Sequence, residues 1–166
     1  MSKRLLSLIT TLLLLALFSV AQAQEEVSDE PQFVLTEEQI KSDFNIASTA
    51  TREISDLEVD VKEDGLHVSF QMTVIQDGTS NTLSIIAVLI GLFDRPRVSA
   101  LELENTMISN YTAPAALQRQ VTRLLVRSWN DYEAGVIADL PADLVPAGQI
   151  IMRDGGICDP IRHMGC

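Results

Sequence analysis

Apolar residues recur along this chain with more than one period, and each change of period marks a predicted element. Thr36-Glu37-Glu38-Gln39 sets a Thr three residues ahead of a Gln, a capping box with two acids in the first turn. A helix is expected to begin there, with Ile40, Phe44 and Ala47 on one narrow stripe, fraying through Ser48 to Thr51. After Ile54 the pattern alternates: Leu57, Val59 and Val61 share one face, while Glu58, Asp60 and Lys62 share the other. Asp64-Gly65 turns the chain, and the next strand keeps Leu66, Val68, Phe70, Met72 and Val74 opposite His67, Ser69, Gln71 and Thr73. The two runs predict a hairpin.

A second turn-rich link, Gln76 to Asn81, leads into Thr82 to Phe93, which is apolar at both parities. Leu83, Ile85, Leu89 and Phe93 fall on one face; Ile86, Val88, Ile90 and Leu92 fall on the other. Such a strand is either covered on both sides or turns one side toward something apolar. Arg95-Pro96-Arg97 breaks the run, and Val98 to Ile108 predicts a fourth strand whose phase slips near Ala100, as at a bulge. Thr112 is expected to cap a helix starting near Pro114, with Leu117, Val121, Leu124, Leu125, Ser128 and Tyr132 on one stripe, closing at Gly135. The residues from Val136 hold many Pro and Gly and predict an irregular tail, with a short strand at Gln149 to Met152. The order implies an α+β domain over 34–135: an antiparallel four-stranded meander packed on an N-terminal and a long C-terminal helix.

The N-terminus adds an address. Lys3 and Arg4 precede an uncharged run from Leu5 to Val20, and Ala21-Gln22-Ala23 supplies the small residues of a cleavage site. This is the layout of a signal peptide over 1–23, with an uncleaved anchor as the alternative. Export to a periplasm, cell envelope or extracellular space follows. Residues 24–33 read as a flexible acidic leader. The chain of 166 residues carries a net charge of −11, and cleavage would remove Lys3 and Arg4 and make it more acidic. Nucleic acid is thereby a poor partner, because there is no basic field to neutralise phosphates.

Candidate chemistry is sparse. Cys158 and Cys166 are the two cysteines of the chain, and in an oxidising compartment they predict a disulfide. Cys158, His163 and Cys166 with Asp159 form an alternative metal-ligand set, and an intermolecular bridge is a third reading. No hydrolase, zincin or nucleotide-loop motif is present, so no catalytic residue, cofactor or metal is assigned. The acids from Glu53 to Asp64 lack the order of a calcium loop and read as a solvated face. Asn110-Tyr111-Thr112 matches a glycosylation acceptor. Arg119, Arg123 and Arg127 form a basic stripe, read either as a solvated face paired with strand acids or as a docking point for an acidic group.

Leu35-Thr36-Glu37-Glu38-Gln39-Ile40, the hairpin from Ile54 to Phe70, the apolar third strand and Ala113-Pro114-Ala115-Ala116-Leu117-Gln118 resemble secreted LmeA-like and YceB-like envelope proteins. The resemblance covers residues 34–134 and rests on element order rather than on a catalytic motif. It implies a curved sheet wrapped on a long helix, with an apolar groove that takes up lipid. Lys41 stands where the family has an asparagine, the strands are few, and the cysteine tail is an addition. The expected activity is non-enzymatic binding of a lipid or similar amphiphile, with Phe70, Met72, Ile86, Val88, Ile90, Leu92, Leu124 and Trp129 lining the groove. The alternatives are an envelope protein-interaction module without a ligand cavity and a lipid hydrolase using His67 or His163. A dimer through the third strand would also cover its spare face.

Overall fold

The computed structural model describes residues 35–140 and 150–159. In chain order they form β1 (Leu35–Thr36), α1 (Glu37–Asp43), β2 (Arg52–Lys62), β3 (Gly65–Gln76), β4 (Thr79–Ile90), β5 (Arg97–Asn105), α2 (Ala115–Asp139), β6 (Ile151–Arg153) and β7 (Gly156–Cys158). β2 to β5 make an antiparallel sheet in sequential order, and β1-β7-β6 make a second, three-stranded sheet. The fold is α+β, as the pattern of periods predicts.

Strict alternation along β3 and β4 sends Leu66, Val68, Phe70 and Met72, and Leu83, Ile85, Ala87 and Leu89, to one buried face. α2 covers that face with Val121, Leu125 and Trp129. Burying each such side chain contributes about 1.5–3 kcal/mol against the entropy of ordering the chain. Phe44, Phe93 and Tyr132 ring Trp129 with centroids 5.9, 6.1 and 5.2 Å from it, which closes this end of the layer.

The capping box forms as expected: the Gln39 N–H donates to Thr36 Oγ1 at 3.3 Å and the Thr36 N–H to Gln39 Oε1 at 2.8 Å. The helix is shorter than its stripe suggested. It stops at Asp43, and Phe44 turns extended, so Phe44 and Ile46 face the core and Ala47 is exposed. α1 lies along the free edge of β2, where Glu37 Oε2 accepts from the Val61 N–H at 3.1 Å.

The end of the third strand differs from its alternation. β4 stops at Ile90, because the chain takes a left-handed turn at Gly91 (φ 71°), where a Cβ would lie 2.6 Å from the Arg95 carbonyl oxygen. Phe93 is left-handed as well (φ 64°), a conformation that costs about 1–3 kcal/mol. Glu133 offsets part of this: Oε2 accepts from the Phe93 N–H at 3.3 Å and from the Trp129 indole Nε1–H at 3.0 Å. The turn carries Leu92 into the core instead of onto the opposite face.

β5 has the expected bulge, at the register shift facing Val88 and Leu89. It ends at Asn105 rather than Ile108, because Asn105 Oδ1 accepts from the N–H groups of Met107 and Ile108 and folds the backbone out of the ladder. Met107 is left 84% exposed. Pro114, not Thr112, occupies the N-cap of α2, and no side chain caps that end. The helix also runs through Gly135 to Asp139, because Val136 continues its apolar stripe onto the core. The tail is not wholly irregular: β6 and β7 pair as a hairpin around Asp154-Gly155, and β7 pairs with β1. The expected signal segment and leader and residues 160–166 lie outside the described residues.

Candidate functional site

The face of the sheet opposite α2 carries the spare apolar positions. Register places Asp60 beside His67, His67 beside Val88 and Val88 beside Ala100; the next row runs Glu58, Ser69, Ile86, Glu102. In these rows the face is therefore charged on β2, polar on β3 and apolar on β4. Ile86 is 47% exposed, and Val88 and Ile90 are half-buried. Gly65 lets them lie low over the strand: a Cβ there would stand 2.5 Å from Val88 Cγ1 and 3.1 Å from Ile90 Cγ2.

A shallow recess of about 810 Å³ opens on this face, lined by Lys41 of α1, Leu57, Glu58 and Asp60 of β2, His67 of β3 and Ile86 of β4. Its charges are mostly paired. Lys62 Nζ lies 3.0 Å from Asp60 Oδ2, a hydrogen bond that holds the Asp60 carboxyl below its ordinary range and the lysine above its own. Lys41 pairs with Glu37, which raises its ammonium. His67 Nε2 lies 2.8 Å from Asp64 Oδ1, and that bond lowers the Asp64 carboxyl. The arrangement offers an apolar strip flanked by a fixed set of ion pairs, which suits a ligand with an apolar body and a polar end.

The eight expected groove residues do not share one surface. Phe70, Met72, Leu92 and Trp129 are buried in the layer between sheet and α2, and Leu124 packs against that core from the helix. Ile86, Val88 and Ile90 stand on the opposite face of the sheet. Lys41, Leu57, Glu58 and Asp60 join the recess instead. The alternation of β2 gave the phase of Glu58 and Asp60, but no local signal could place Lys41, because its position depends on α1 docking at a sheet edge.

The remaining candidates are dispersed. Arg127 pairs with Asp131 of its own helix at 3.7 Å, not with strand acids. Cys158 and Asp159 are fully buried at the end of β7, while His163 and Cys166 lie outside the described residues. Among the described residues no group of three or more His, Cys, Asp or Glu could hold a metal ion. No helix among them is long and apolar enough to cross a membrane. No protein-family model, curated protein or solved structure matches this chain.

Proposed function

We propose that this chain is an exported, non-enzymatic binding protein for a lipid or similar amphiphile, and that the ligand lies on the outer face of the four-stranded sheet. The observation that carries this reading is Ile86, Val88 and Ile90 on the face away from α2, beside a recess with charged walls. The tail of an amphiphile would run along β4 and cover them. Its polar end would sit at β2, among Lys41, Glu58, Asp60 and His67. The family resemblance supports the ligand class, with the groove moved from the helix–sheet layer to the opposite side. A Cys158–Cys166 disulfide would tie the tail beyond β7 and belongs to the same exported reading.

Native mass spectrometry of the chain purified from its own compartment tests this. The expected result is a bound mass in the lipid range, lost on denaturation and lost again in Ile86→Glu, which sets a charge in the apolar strip without touching the core. A clean apo mass with no lipid in an organic extract would sink the reading.

The filled layer between sheet and α2 favours a second reading, an envelope protein-interaction module without a ligand cavity. It predicts a crosslinked partner protein in place of a lipid. A dimer that covers the apolar strip would have to stack outer faces, because β4 is an inner strand with neighbours on both sides.

A further inference from the structure

We propose that the free edge of β5 is a second, separate binding site, which takes an extended acidic peptide as an added strand. β5 ends the order of the larger sheet, so its backbone groups pointing away from β4 have no strand partner among the described residues. Such an edge is a template for main-chain pairing. Next to it, Val98, Ser99, Ala100 and Leu101 form one wall of a cleft of about 350 Å³, and Gln118, Arg119 and Thr122 of α2 form the other. A strand added about 4.8 Å beyond β5 would send alternate side chains into this cleft.

Charge selects the occupant. Arg119 and Arg123, one turn apart on α2, are exposed and have no carboxylate within ion-pair distance among the described residues, whereas Arg127 has Asp131. In a chain of net charge −11, two uncompensated guanidinium groups, Arg119 in the wall of the cleft and Arg123 one turn farther along α2, favour carboxylates on the side chains that point toward α2. Glu102 and Glu104 stand exposed on the other face of β5, so the alternate side chains must not be acidic. The occupant is thus a strand that alternates acidic residues with non-acidic ones, for which β-branched apolar residues serve best because they favour the extended backbone. A second copy of β5 meets two obstacles: pairing centred on Leu103 opposes Glu102 to Glu104, and pairing centred on Leu101 runs into the bulge. A short peptide avoids both by pairing from Ala100 onward, past the bulge, where Ala100 and Leu101 bring one end of it into the cleft beside Arg119.

The probe is a fluorescein-labelled Val-Glu-Val-Glu-Val-Glu-Val peptide, titrated by fluorescence anisotropy with the chain as exported. The expected result is saturable binding that weakens about tenfold or more when the glutamates become lysines, and likewise in Arg119→Glu/Arg123→Glu. Methylation of alternate backbone nitrogens in the peptide should abolish binding, and this control does not depend on how any protein variant folds. No binding of the glutamate peptide overturns the proposal, as does equal binding of the N-methylated peptide or of the double variant. A dimer in sedimentation velocity that Ala100→Pro dissociates would also overturn it, because a second copy would then own the edge.

Discussion

Tyr132 stands on α2 with its ring edge-on to Phe44, centroids 5.8 Å apart, and its hydroxyl buried without a hydrogen-bond partner among the described residues. Burial pushes the phenol from 10.0 up to about 12, and the nearby Asp43 carboxylate adds to the shift. The unfolded chain releases this proton near pH 10 and the folded chain near pH 12, so between them the folded state holds more protons. The contribution to stability is full below pH 10 and is lost as pH rises through that window. Partial exposure of the ring damps its size. Tyr132→Phe should therefore remove part of the alkaline fall in Tm. At neutral pH it should match or exceed the wild type, since an unpaired buried polar group costs about 1–3 kcal/mol. Thermal unfolding of both proteins across the alkaline range checks this; identical alkaline slopes would show that another group titrates.

Among the elements, α2 offers the cleanest test. Gly135 sits in its interior with helical backbone, and a Cβ added there meets nothing within 4 Å. A glycine in a helix interior is about 1 kcal/mol worse than alanine, so Gly135→Ala should stabilise the protein by about 0.4–1 kcal/mol, read as a higher urea midpoint at unchanged slope. The same glycine explains why the residues alone predict a shorter helix: glycine is a local breaker, and the core contact of Val136 that overrides it is tertiary. Where local pattern and tertiary packing agree, as in the Thr36 capping box and the alternation of β3, the elements were legible from residues alone. Leu92 was not, because the Gly91 turn that reverses its face is completed by a carboxylate from α2, distant in sequence. The β6–β7 hairpin had a local signal, Asp154-Gly155 between two apolar pairs, obscured by the density of Gly and Pro around it. The candidate site was legible in half: the spare apolar face of the third strand was visible as an anomaly. Its separation from Phe70, Met72 and Trp129 follows from the pleat and from which side α2 takes.

The small sheet decides how the ends of the described chain are held. β7 pairs Ile157 with Leu35 and Gly156 with Thr36, and the Glu37 N–H donates to the Gly155 carbonyl at 2.8 Å. The hairpin thus closes over the strand that leads into α1. Two outcomes are open to such a clasp: it opens alone as a fringe, or it opens only with the whole domain. Ile157 argues for the second, since it is fully buried in the same cluster as Leu66, Ile85 and Trp129. Ile157→Ala should then cost about 2–5 kcal/mol, a large share of the roughly 5–15 kcal/mol that holds a domain of this kind together. The loss should lower the urea midpoint seen by Trp129 fluorescence, and amide exchange in β3 should quicken by the same free energy as exchange in β1 and β7. Faster exchange confined to β1 and β7, with the Trp129 midpoint unmoved, would show the clasp to be a fringe. The coupled outcome makes the residues after α2 part of what holds α1 against β2, and so part of what keeps Lys41 at the recess on the outer face.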